Sequence, residues 1–238
     1  VDTQTRHALK EDKFVAATQQ SLGWLEEHRN KVIPASIALV VALAVVIGGF
    51  VFYQNREQAA SAAFGQAMQD YGAPLIQPGQ QVPTGVKVYT SSAERAKAAN
   101  RLFVDVANKY GFTPSGRNAE YFAGLTYMEM GQNASAEASL KNVSGSMSRN
   151  LAALAKLALA VLYQQTGRNS DAIALLKDLI NKPATTVPAG VAKLQLAALY
   201  EASNQPEQAK LIYAALKDQD KTGAAGQIAA QKLGGNAQ

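Results

Sequence analysis

The sequence predicts an all-α protein, a single N-terminal transmembrane helix followed by a helical solenoid. Three observations predict it. The run Val32–Tyr53 holds 22 residues without a charge, the length of a bilayer crossing. The remainder is rich in alanine and poor in β-branched runs, as in closely packed helices. Three later segments align without gaps at a spacing of 36 and then 37 residues, the mark of a repeat array. With 238 residues the chain is long enough for a sizeable core. It has no cysteine, which excludes disulfides, thiolate metal sites, cysteine nucleophiles and a lipidated cysteine.

Residues 1–31 form the first element, expected to be a cytoplasmic amphipathic helix. Phe14, Thr18, Leu22 and Leu25 recur on one face, with Val15 and Trp24 beside them and Lys10, Glu11, Asp12, Glu26 and Glu27 around them. Such a helix suits a membrane surface, a partner, or simply the positioning of the anchor. Residues 32–53 form the transmembrane helix. Apolar side chains occupy every position around it, where a core helix would show a polar stripe. Pro34 is expected in its first turn, Gly48 and Gly49 suit a membrane helix, and Phe52 and Tyr53 supply an interfacial aromatic end. The run is longer than a cleaved signal's apolar region of about 7–15 residues, so it reads as a retained signal anchor. Lys13, Arg29 and Lys31 precede it and only Arg56 lies close on its far side, which predicts a cytoplasmic N-terminus and an outer, periplasmic C-terminal domain at a bacterial inner membrane.

Residues 54–110 are read as a helix continuing from the anchor, a Pro/Gly loop and a degenerate first repeat. Ala59, Ala63, Ala67, Phe64, Met68 and Tyr71 make a stripe on the continuing helix. Three prolines and three glycines between Tyr71 and Thr90 make an irregular loop, functional or disordered, in which Val86–Tyr89 could pair as a short strand. Ser91 and Glu94 match a capping box, opening a helix in which Ala99, Phe103 and Val106 face inward.

Residues 111–220 carry three full repeats registered on Tyr127, Tyr163 and Tyr200. Three residues before each tyrosine stands Gly124, Ala160 or Ala197, and nine after it Ala136, Ala172 or Ala209, small residues where two antiparallel helices touch. Four residues after it stands Gly131, Gly167 or Asn204, types that end a helix in the left-handed conformation. Thirteen after it stands Leu140, Leu176 or Tyr213, large residues that fill the space between hairpins. Pro206 suits the first turn of a second helix. Residues 221–238 read as a capping helix over about Ala224–Leu233 and a tail, closing the last open face of the array.

The repeat spacing resembles the tetratricopeptide repeat, whose period is about 34 residues. A first-helix tryptophan is missing and the period is slightly long. The whole layout, with "WLEEHRNKVI" leading into one anchor, then a long alanine-rich helix and degenerate repeats, resembles the YfgM-like family. Its members are ancillary subunits of the bacterial SecYEG translocon. The resemblance covers essentially the whole chain and rests on layout and repeat residues. It implies an outer domain that contacts translocon subunits, periplasmic chaperones and newly translocated proteins.

No chemistry of catalysis is legible. His7 and His28 both precede the anchor, and neither lies at ligand spacing from other donors. Walker, GxSxG and GxGxxG motifs are absent, so neither an enzyme nor a cofactor nor a small-molecule substrate is expected. The formal charge of +5 is spread thinly after Gln54, against nucleic-acid binding. The expected role is protein binding through the concave face of the first helices. There the inward positions are Tyr121, Leu125 and Met128, then Leu157, Val161 and Gln164, then Leu194, Ala198 and Glu201. This face lacks the cations that clamp acidic tails and suits an apolar helix or extended segment. Equally, some of these side chains could pack on the chain's own 71–90 loop or C-terminal helix. A structural or assembly subunit of another membrane complex, respiratory or photosynthetic, is the alternative.

Overall fold

The computed structural model describes residues 28–77 and 85–235. The amphipathic segment expected around Phe14–Leu25 lies outside them. Nine α-helices, and no strand, form among the described residues: α1 Arg29–Tyr71, α2 Ser92–Tyr110, α3 Pro114–Glu129, α4 Asn133–Ser144, α5 Arg149–Gln165, α6 Asn169–Asn181, α7 Ala189–Ala202, α8 Pro206–Gln219 and α9 Ala224–Gly235. The chain divides into two units, Val1–Asn55 and Arg56–Gln238.

In the first unit α1 is long and apolar enough to cross a membrane, and its most apolar stretch is wholly unburied. The helix starts at Arg29, ahead of the apolar run, so Pro34 lies inside it and not in its first turn. There the missing N–H leaves the Asn30 carbonyl without its usual i+4 donor.

The second unit begins with the last turns of α1. Ala60 and Ala67 are fully buried against Ala99, Phe103 and Val106 of α2 and Ala119 and Ala123 of α3. Ala59, expected in this stripe, is exposed, and Ala60 takes its place one helical step on. Four rings close the contact: Phe103 stacks on Phe122 at 5.3 Å, and Phe64 and Tyr71 each approach both at 5.7–6.0 Å. Ser91 caps α2 by accepting from the Glu94 N–H at 3.2 Å. The Glu94 carboxylate reaches back to the Thr90 hydroxyl, at 2.6 Å, instead of to the cap's own N–H. The base of the loop between α1 and α2 is tied down: Tyr89 N–H donates to Pro74 O and Ile76 N–H to Tyr89 O. An isolated parallel bridge thus joins Leu75 and Tyr89, and the Asp70 carboxylate, mostly buried, takes Lys87 and Tyr89.

Helices α3/α4, α5/α6 and α7/α8 are the three hairpins of the register. Ala160, Ala197, Ala136, Ala172 and Ala209 are all at most 2 % exposed, as are Leu140, Leu176 and Tyr213. Each first helix ends the same way. Gly131, Gly167 and Asn204 have φ of +70°, +77° and +55°. The next N–H, of Gln132, Arg168 or Gln205, then donates to the carbonyl of Tyr127, Tyr163 or Tyr200 at 2.7–2.9 Å. That six-to-one bond satisfies a carbonyl the helix end would orphan. The register tyrosine is therefore fixed at a constant distance from the turn. Pro206 opens α8 as expected. Residues beyond the 34-residue period are taken up outside this register, in the 17-residue α5 and in the 182–188 connection, which Ala184 and Val187 pin by reciprocal backbone bonds.

Helix α9 packs on α8 and α7. It buries Ala229 completely and lays Ala225 and Leu233 on the core.

Candidate functional site

The nine expected groove residues sit on the first helices of the three hairpins. They fall into three rows by the repeat spacing: Tyr121, Leu157 and Leu194; Leu125, Val161 and Ala198; Met128, Gln164 and Glu201. All nine are half-buried. Tyr121, Leu125, Met128, Leu157 and Leu194 pack on the outside of the main core, so each keeps part of an apolar side chain available. Tyr121 sets its ring edge-on to Phe122 at 5.3 Å, and burial raises its phenol above the ordinary value.

Two of the nine are brought together in one open cleft. Val161 and Gln164 line a space of about 450 Å³ with Gln165, Gly167, Asn169, Leu199, Ala202 and Ser203. Its polar groups are amides and a hydroxyl, with no charge in the lining. Gln195 Nε2 donates to Gln164 Oε1 at 3.4 Å, linking α7 to α5. Asn169 Nδ2 donates to Ser203 Oγ at 3.0 Å, linking the turn of one repeat to the turn of the next. Such groups can both give and accept hydrogen bonds, which suits an extended backbone beside apolar side chains.

Glu201 is placed apart from the cleft. It pairs with Lys232 of α9 at 3.5 Å, so part of the third row faces the chain's own C-terminal helix. It also lies against Tyr213, whose phenol is pushed up to about 12, first by burial and then by this carboxylate. The pattern of inward positions did not include Gln195, Gln165, Asn169 and Ser203. Gln195 breaks the Ala/Leu run of α7 one residue after Leu194, and that polar interruption was the available signal.

Charged side chains around the repeats are engaged with one another. Arg168 holds Glu137 at 2.9 Å and Asp171 at 2.8 Å while its guanidinium lies 4.0 Å over the Tyr163 ring. Lys141 joins Glu137 at 2.7 Å. Lys141 first, and Arg168 second, hold the Glu137 carboxyl down at about 2. Lys156 pairs with Asp178 at 2.6 Å, and that bond holds Asp178 below the usual carboxylate range. No group of three or more metal-ligating side chains forms among the described residues.

Comparison with the curated proteins and with the solved structures gives no match. The model of one family, described as a tetratricopeptide repeat-like domain, matches residues 23–183. That stretch takes in α1 to α6 with the first two registered hairpins, and the chain belongs to the tetratricopeptide repeat-like domain family.

Proposed function

We propose that the protein is a membrane-anchored interaction module. In this reading Val32–Tyr53 crosses the bacterial inner membrane, the repeats lie on its outer side, and their hollow receives an apolar or extended segment of another protein. A tetratricopeptide-like array is typically a module of protein–protein interaction and not of catalysis. The observation that carries the reading is the face shared by α3, α5 and α7. It offers half-buried apolar side chains, an uncharged cleft at Val161 and Gln164, and the Gln164–Gln195 amide pair. The excess of Lys13, Arg29 and Lys31 over Arg56 supports the orientation. The layout that resembles the YfgM-like family supports a place beside the Sec translocon, between emerging proteins and periplasmic chaperones.

A photoreactive residue at Leu157 or Val161 in intact cells tests it. Capture of translocon subunits, periplasmic chaperones or newly exported chains is the expected result. Stoichiometric recovery of redox subunits, with translocon subunits missing after mild detergent extraction, would replace the translocon role with that of a subunit of another complex.

A further inference from the structure

We infer that the end of α2 and the turn that follows it, Lys109 to Phe112, make a second membrane contact, with Phe112 entering the boundary between headgroups and acyl chains and Lys109 meeting anionic headgroups. The inference rests on the reading that Val32–Tyr53 crosses a bilayer.

Chain connectivity supplies the distance. Arg56 stands three residues beyond Tyr53, the end of the apolar run. Three residues span about 4.5 Å as helix and at most about 11 Å fully extended. The interfacial layer on each side of a bilayer's hydrocarbon core is about 5–8 Å deep. Arg56 therefore lies in or at the edge of that layer. Arg56 in turn holds the turn. Its Nη2 donates to the Lys109 carbonyl at 2.7 Å. Its guanidinium lies 4.8 Å from the Tyr110 ring and 5.7 Å from the Phe112 ring.

The turn is composed for that place. Tyr110 and Thr113 on either side are buried, at 7 % and 0 %, yet Phe112 is 56 % exposed. Lys109 is exposed next to it, on a stem that can lie along apolar surface with its ammonium in the headgroups. Glu57, the acid next to Arg56, is occupied: Ser115 Oγ donates to it at 2.7 Å, and the Ser115 N–H at 3.3 Å. An aromatic beside a cation is the composition of interfacial anchors.

The test uses the full chain in vesicles of phosphatidylethanolamine and phosphatidylglycerol. Trp24, the only tryptophan, is replaced by Phe, and Phe112→Trp or Tyr53→Trp is added singly. Brominated lipids report contact by quenching. Both tryptophans are expected to be blue-shifted and quenched about twofold, as interfacial indoles are. If Phe112→Trp does not fold, a spin label at Lys109→Cys, a unique site in a chain without cysteine, reads the same depth from its oxygen accessibility. Quenching at position 53 with neither quenching at 112 nor membrane depth at 109 overturns the contact and leaves the span standing. Absence of quenching at position 53 overturns the span, and the inference with it.

Discussion

Leu140 lies so close to Gly124 that a Cβ on residue 124 would stand 2.7 Å from its Cγ and 2.8 Å from its Cδ2. Leu140 is fully buried and cannot move aside freely. Gly124→Ala gains about 1 kcal/mol of helix propensity but overpacks the α3–α4 contact, which costs about 1–3 kcal/mol. Net destabilisation of up to about 2 kcal/mol is expected in urea melts. Adding Leu140→Ala should relieve the clash, so that the pair costs clearly less than the two single changes summed. Strict additivity would show that the two residues do not press on one another.

The left-handed residues make a second, graded test. Gly131→Ala and Gly167→Ala should each cost about 1–2 kcal/mol, because a Cβ is disfavoured at φ of +70° and +77° even though open space surrounds both sites. Asn204→Gly should be neutral or stabilising by less than about 1 kcal/mol, since asparagine already tolerates that region. Thermal melts that leave both alanine variants unchanged would show that the turn does not fix the repeat.

Asn100 is a polar group inside the first repeat. It is 6 % exposed, and its Nδ2 donates to Ala123 O at 3.2 Å and to Thr126 Oγ1 at 2.9 Å. The Thr126 hydroxyl already donates to Phe122 O, at 2.8 Å. Asn100→Asp would therefore set a carboxylate against two oxygens, and about 2–4 kcal/mol should be lost at pH 7. The carboxyl of the variant is raised in the folded state, so its penalty is absent below the ordinary carboxylate range and grows as pH rises through and above it. Chemical melts at pH 4 and pH 7 measure the recovery. Equal losses at the two pH values would contradict this account.

Glu137 carries a pH dependence of the opposite sign. Its carboxyl sits at about 2 in the fold against an ordinary 4.5, so its contribution is present above about 4.5 and is lost as pH falls toward 2. The group reaches solvent, and screening holds the contribution to about 1 kcal/mol or less. Glu137→Gln should lower stability at pH 7 by that amount and make no difference near pH 2. A variant that loses as much at the low end as at pH 7 would assign the effect to packing instead.

How much of this could be read from the chain depends on what each residue does. The hairpins were legible because their register is written in backbone chemistry. A left-handed turn needs Gly or Asn, and the Tyr127, Tyr163 and Tyr200 carbonyls each accept a bond at a fixed step from it. The continuing helix was legible with Ala63, Phe64, Ala67, Met68 and Tyr71 on its packed face, and only Ala59 stood for Ala60, because alanines occupy both positions and periodicity does not choose between them. Pro34 was placed in the first turn because the charged residues before the apolar run carry no visible start signal. The nine expected groove positions recur at the repeat spacing on the first helices, while the side chains they meet were not readable. Glu201 meets Lys232 and Gln164 meets Gln195 across 31 residues, pairings that depend on how neighbouring hairpins stack and not on any local pattern.

Helix α9 has a consequence for growth. It lies across α8 and α7 so closely that a Cβ on Gly190 would come within 2.9 Å of the Ala225 methyl, and it spends Lys232 on Glu201. The apolar flank that another hairpin, or the leading hairpin of a second molecule, would use to extend the stack is already covered. A second molecule could stack on that flank of α7 and α8 only by displacing α9 and breaking the Lys232–Glu201 pair.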